Sequence, residues 1–126
     1  MSEELARRAV ACKHWRWMPG MLATDGARLY RAQDDGTALD IGDTIVERGW
    51  GFGLANMFPD LTDPATLGAL LALVREAWED PCICTAVDNT GAGWWVDGWT
   101  AARPQVPSDL HPTEAAALVA ALEAAP

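Results

Sequence analysis

The sequence predicts an α+β fold, with a small antiparallel sheet packed against two or three helices and residues 1–126 forming a single domain. Two segments carry this prediction. One is an amphipathic helical stretch over 63–78, and the other is a pair of β-prone runs over 82–97 joined by a turn. Alternating strand–helix–strand units, which build parallel doubly wound sheets, are not evident. The chain is long enough to bury roughly two thirds of its unfolded surface.

The N-terminal segment predicts a first helix. Ser2 is a suitable N-cap, acidic residues follow it, and Leu5, Ala9 and Cys12 fall on one face at spacings of four and three. Pro19-Gly20 stops any continuation of this helix.

The next segment predicts β-structure and a long loop. Residues 21–32 are typical of a hairpin that turns at Asp25-Gly26, and Thr44–Glu47 predicts a short strand. Residues 49–61 are the least regular part, because glycines and aromatic residues alternate around Trp50. Loops of this length in a compact domain are often functional.

The clearest helix begins at Asp63. This residue is a good N-cap, and Pro64 is pre-organised for the first helical position. Asp80-Pro81 ends the helix. Its apolar stripe comprises Leu67, Leu70, Leu71, Val74 and Trp78.

A hairpin and a last helix complete the chain. Residues 82–87 and 93–97 predict two antiparallel strands around Asn89-Thr90-Gly91. A linker with two prolines leads to a helix with Pro112 at its start. The residues of this helix expected to face the core are Leu118, Val119 and Leu122.

Composition and cysteine usage limit the class of protein. Half of the residues are hydrophobic and 21% are charged, which is typical of a globular chain. No apolar run approaches the ~18 residues that span a bilayer, and basic residues interrupt every apolar stretch that a signal peptide would need. Three cysteines make no disulfide framework, so we expect a reducing cytoplasm.

Charge is distributed unevenly along the chain. Nine basic and eighteen acidic residues give a net charge of −9, which works against binding to DNA or to an acidic membrane. Residues 1–31 hold six of the basic residues and only three of the acidic ones. Any anionic ligand is therefore expected near the N-terminal third.

Catalytic signals are scarce. The two histidines, His14 and His111, lie in no recognisable nucleophile–base motif, and His111 precedes a helix start. We therefore expect a protein that is not an enzyme and has no cofactor. A zinc site is the weaker alternative, because four residues offer the right ligand types at an unusual two-residue spacing: Cys12, His14, Cys82 and Cys84.

Tryptophan is the most unusual feature, with seven residues against two phenylalanines and one tyrosine. Adjacent Trp94 and Trp95 must face opposite sides of an extended strand, whereas Trp15 and Trp17 share a face and leave Arg16 on the other. Indole rings beside cations suit a planar anion such as a nucleotide. The residues predicted to bind it are Arg7, Lys13, Trp15, Arg16, Trp17, Trp50, Trp94, Trp95 and Trp99.

Three segments resemble small uncharacterised proteins encoded by bacteriophages and prophages: Lys13–Met21, Asp60–Trp78 and the alanine-rich helix after Pro112-Thr113-Glu114. The resemblance covers nearly the whole chain but brings no catalytic motif. It implies a protein made in the cytoplasm of an infected bacterium, where such accessory proteins often bind a host defence protein or a nucleotide immune signal.

Three functional hypotheses follow from these features, and one of them is a structural domain stabilised by the zinc site named above. The other two are functions in binding. The first is a non-enzymatic phage accessory protein that binds a small anionic, nucleotide-like ligand and so blunts host defence. The second is a protein-interaction module that inhibits a host protein through exposed tryptophans. A homodimer is expected with either function, because a small chain with surplus aromatic residues can complete its core or cleft across a two-fold axis.

Overall fold

A computed structural model describes residues 3–24, 26, 28–31, 37–41, 44–47, 58–98 and 109–126. Within these ranges there are three helices, namely α1 (Glu3–Ala11), α2 (Pro64–Ala77) and α3 (Glu114–Ala124). The strands are β1 (Arg28–Arg31), β2 (Thr37–Ile41), β3 (Thr44–Glu47), β4 (Cys84–Val87) and β5 (Trp94–Asp97). The predicted α+β class is confirmed, because α3 packs against α1, α2 and the antiparallel β4–β5 sheet.

Helix α2 forms where the sequence predicts it. The Asp63 side chain accepts a hydrogen bond from the Thr66 N–H at 2.9 Å, and Pro64 occupies the first turn. The predicted stripe faces the core, with Leu70, Val74 and Trp78 buried. Trp78 caps the C-terminus of the helix and donates its indole N–H to the Ala121 carbonyl of α3 at 2.8 Å.

Helix α3 lies at the centre of the packing. Its N-cap is Thr113, which accepts from the Ala116 N–H at 3.0 Å, so the helix begins two residues after Pro112. Small alanine side chains on several sides of α3 let its neighbours approach closely. The predicted core residues Leu118, Val119 and Leu122 are all fully buried.

Helix α1 covers one side of α3. Leu5 and Ala9 are buried and Cys12 packs against the core, as their spacing predicts. Arg8 lies on the exposed side of α1 and pairs with Glu123 of α3 at 2.5 Å. The predicted N-cap Ser2 lies outside the described residues.

The hairpin predicted over residues 21–32 is wrong in its main pairing. Leu22 and Arg28 form a single antiparallel bridge, but β1 pairs along its length with β2, a strand that the sequence analysis missed. The acidic and glycine residues before Thr37 are typical of a turn, so this short segment was not predicted as a strand. Strand β3 was predicted correctly and pairs with β2.

Of the helices in the described part of the chain, none is both long and apolar enough to cross a lipid bilayer.

Candidate functional site

The cation-rich segment around Trp15 and Trp17 was the first candidate site. The two rings meet edge to face, with centroids 5.7 Å apart and planes at 79°. Both rings pack against the hydrophobic core, so the predicted shared face of these two residues is directed inward. Arg16 between them is exposed on the opposite side.

Arg16 is engaged by a carboxylate. Its two terminal nitrogens donate to the two oxygens of Glu76 on α2 at 2.9 and 2.7 Å. This bidentate contact raises the pKa of the Arg16 guanidinium and lowers the pKa of Glu76. The guanidinium edge that would pair with a phosphate or carboxylate ligand is therefore taken by the protein itself.

The other arginines near the N-terminus follow the same pattern. Arg7 pairs with Glu3 one turn earlier at 2.6 Å and lies 5.0 Å from the centre of the Phe58 ring. Arg28 pairs with Asp63 at 3.1 Å, which raises the pKa of the guanidinium. The predicted basic character of the segment is thus largely neutralised locally.

Two features of the segment still favour the binding of an anionic ligand. Lys13 is exposed and forms no ion pair with the described residues. The indole Nε1 of Trp15 is buried and has no hydrogen-bond partner among the described residues.

The cleft beside Arg16 has mixed charge. It measures about 330 Å³, and the His14 ring contacts the Pro126 carbonyl oxygen at 2.9 Å on its wall. Its lining also includes Glu76 and Glu79, so carboxylates surround the single arginine. Such a lining disfavours a polyanionic ligand.

The tip of the β4–β5 hairpin forms a second candidate site. Trp94 and Trp95 face opposite sides of the sheet, as predicted from their adjacency. Trp94 packs against the core, and its main chain exchanges two hydrogen bonds with His111, at 2.7 and 2.8 Å. Gly93 permits this approach, because a Cβ at that position would lie 2.7 Å from the His111 carbonyl oxygen.

Trp95 instead lines a surface groove of about 370 Å³. Leu110, which is 50% accessible, lines this groove, and Val87, equally accessible, borders it at the end of β4, where it pairs with Trp94. We call this surface the Trp95 groove; it is lined by Val87, Asp88, Asn89, Trp95 and Leu110. Large apolar side chains exposed together in this way are typical of interaction sites.

The surroundings of the Trp95 groove are acidic. Residues 81–98 and 109–126 contain no lysine or arginine. Asp97 and Asp109 are exposed and lie within two residues of Trp95 and Leu110 in the sequence. Hydrogen bonds from the side chain and main chain of Thr90 lower the pKa of Asp88 in the groove wall, which keeps this carboxylate charged. An apolar floor with a negative rim results.

The remaining predicted residues comprise two tryptophans and the zinc-ligand candidates. Trp50 and Trp99 lie outside the described residues. Cys12 donates to the Leu122 carbonyl at 3.4 Å, whereas Cys82 and Cys84 are exposed elsewhere. In the ranges that the structure describes, no three histidine, cysteine or acidic residues are grouped to hold a metal ion, so the zinc alternative has no support there.

Sequence reasoning missed Leu110 and the main-chain role of His111. Both lie in an irregular segment before Pro112, where no periodicity indicates which strand the chain will join. No family model, curated protein or solved structure matches the chain significantly.

Proposed function

We propose that this chain is a protein-interaction module that binds its partner through the Trp95 groove. The observation that carries the proposal is the exposure of Leu110 beside Trp95 in a groove that exposed Val87 borders. Tryptophan is a preferred anchor of protein interfaces, because it buries a large rigid area and loses little side-chain entropy.

The chemistry of the groove defines the partner. An apolar side chain would fill the space against Trp95, and lysine or arginine residues flanking it would face Asp88, Asp97 and Asp109. Opposite charges at the rim increase the association rate and the specificity more than the affinity. The proposed partner is therefore a protein segment with an apolar anchor between basic residues.

The resemblance to phage-encoded accessory proteins supplies the proposed setting. The partner would then be a host protein, such as a defence protein, in the bacterial cytoplasm. Inhibition would follow from occupying a basic surface that the host protein uses for another ligand.

A peptide panel tests the proposal. Each peptide carries one large apolar residue flanked by Lys and Arg, and its matched peptide carries Asp and Glu instead. We expect the basic peptides to bind more tightly, most clearly at low salt, and Trp95→Ala to weaken binding at least about tenfold. Lys13→Ala, an exposed change remote from the groove in sequence, is the control and should leave binding unchanged.

Two results would contradict this function. One is equal binding of the acidic and basic peptides, and the other is an unchanged affinity in Trp95→Ala. Thermal unfolding of both variants establishes that the comparison is made between folded proteins.

Capture of a small anionic, nucleotide-like ligand is the second candidate function. It is favoured by the buried Nε1 of Trp15, which an anionic oxygen would satisfy, and by exposed Lys13. Calorimetric titration with cyclic and linear nucleotides tests it. Binding that is lost in Trp15→Phe, which removes the N–H but keeps an aromatic ring, would support this candidate, and a panel without heat of binding would remove it.

A further inference from the structure

The hydrogen bonds of the hairpin determine which main-chain groups of β4 point away from β5. The Asp88 N–H donates to the Gly93 carbonyl at 2.9 Å, so the next pair, Val87 with Trp94, is a non-hydrogen-bonded pair. Trp94 accordingly directs its own main-chain groups to His111. By the same alternation, Val87 and Thr85 direct their N–H and C=O groups outward from the free side of β4.

Among the residues that the structure describes, this edge is closed at one end only. Ile83, the preceding residue of the same alternation, donates its N–H to the Asp80 carbonyl at 3.4 Å and accepts from Arg75 Nε at 2.7 Å. For Thr85 and Val87, the described part of the chain provides no equivalent main-chain partner. With respect to the described ranges, the open edge is therefore two outward-facing residues long.

Strand β4 also lacks the usual protection of an edge. Exposed edges commonly carry lysine, proline or a bulge that blocks pairing with another chain. The four residues of β4, Cys84–Val87, contain no charged residue and no proline, although the whole chain carries a net charge of −9. An uncharged edge is where two like-charged copies can approach with the least repulsion.

We propose that two copies of this chain pair through β4, antiparallel, about a two-fold axis at Ala86. In this register, Thr85 of each copy lies opposite Val87 of the other. Each opposed pair exchanges two hydrogen bonds, so all eight outward N–H and C=O groups of the two edges are satisfied. The result is a four-stranded antiparallel sheet with the order β5, β4, β4, β5.

The charges and the alternative registers favour a second copy in this arrangement. Asp88 of one copy lies opposite the neutral Cys84 of the other, so no two carboxylates face each other across the seam. A two-fold axis at Thr85 places Val87 opposite Ile83, which is already satisfied within its own chain. An axis at Val87 places Thr85 opposite Asn89, whose N–H lies in the turn and bonds to Asp88. Only the register at Ala86 uses the whole open edge.

The pairing has a consequence for the Trp95 groove. Trp95 lies opposite Ala86 in the hairpin, so the two tryptophans would share one face of the joined sheet, about three strand spacings or ~14 Å apart. The dimer would thus present two grooves on the same face. Its formation does not depend on the proposed function, since self-association is measured without any partner.

Light scattering coupled to size-exclusion chromatography is the first test. The protein should elute with a mass that rises with concentration towards twice the 13.5 kDa of the chain. Val87→Lys, which places a charge on the edge at a half-exposed position, should weaken self-association at least about tenfold. A monomer at every concentration overturns the proposal.

Cross-linking tests the register itself. In a background of Cys12→Ser, Cys82→Ser and Cys84→Ser, Ala86→Cys places two thiols opposite each other in a non-hydrogen-bonded pair, with Cα atoms about 4.5 Å apart, within the range of a disulfide. Mild oxidation should give a covalent dimer. Asn89→Cys, exposed in the turn, is the matched control and should not cross-link at a comparable rate. A dimer by light scattering that Ala86→Cys does not cross-link overturns the β4 interface.

Discussion

The two tryptophan pairs of the molecule differ in where their rings lie, and the spacing within each pair explains the difference. Trp15 and Trp17 are two residues apart in an extended segment, so both rings turn inward and contact each other. Trp94 and Trp95 are adjacent in a strand, so one ring joins the core and the other faces the surface groove. The ring that faces the surface groove therefore lies where the chain is acidic, and the rings beside the basic residues pack against the core.

This contrast changes which surface is available to a ligand. In the N-terminal segment, Arg16 is held by Glu76, and Arg7 by Glu3. Around Trp95, no cation balances the carboxylates in the described residues 81–98 and 109–126. Availability depends on whether a charged group already has a partner, and local net charge in the sequence does not reveal that.

The largest expected effect is a difference in stability between alanine variants of Trp94 and Trp95, the adjacent tryptophans of β5. Trp94→Ala should lower the free energy of unfolding by about 2–4 kcal/mol, because it leaves a cavity in the core. Trp95→Ala should change stability by less than about 1 kcal/mol, since its ring lies at the surface. Urea denaturation of both variants measures this. Equal losses of stability would mean that the two rings are not divided between core and surface.

Two glycine-to-alanine variants test the close contact between the main chains of Gly93 and His111, which positions Leu110 beside Trp95. Gly93→Ala should cost about 1–3 kcal/mol, because the new Cβ would lie 2.7 Å from the His111 carbonyl oxygen. Gly68→Ala is the matched control on α2, where nothing lies within 4 Å, and it should stabilise the protein by up to about 1 kcal/mol. Thermal unfolding distinguishes the two. A neutral Gly93→Ala would indicate that the bridge between Trp94 and His111 can move.

The sequence determined the helices and the β4–β5 hairpin because their signals are local. Asp63-Pro64 marks the start of α2, and the adjacency of Trp94 and Trp95 places them on opposite faces. Strand β2 and the bridge at His111 could not be predicted in this way, because pairing between distant segments leaves no periodicity in a short run. Whether Arg16 is free also depends on Glu76, sixty residues away.

The N-cap of α2 gives a pH-dependent prediction of intermediate size. Hydrogen bonds from Arg28, and from Thr66, lower the pKa of Asp63 in the folded state. Its contribution to stability is therefore present above its unfolded pKa and is lost as the pH falls through the lower folded value. Asp63→Ala should cost about 0.5–2 kcal/mol at neutral pH and flatten the loss of stability between about pH 5 and 3. An unchanged slope in urea titrations across this range would contradict that role.

The smallest expected effect on stability comes from releasing Arg16 from its ion pair with Glu76. Glu76→Gln removes the negative charge that holds Arg16 and should lower stability by only about 0.2–1 kcal/mol, because both side chains are largely exposed. The released guanidinium adds an unpaired cation to the segment that holds exposed Lys13, so nucleotide binding should strengthen or first become detectable by calorimetry. Glu79→Gln, which removes a carboxylate from the lining of the same cleft and leaves Glu76 in place, is the control. If both variants bind anions no better than the parent chain, the pairing of Arg16 is not what keeps anions from the N-terminal segment, and the inward packing of Trp15 and Trp17 must account for it.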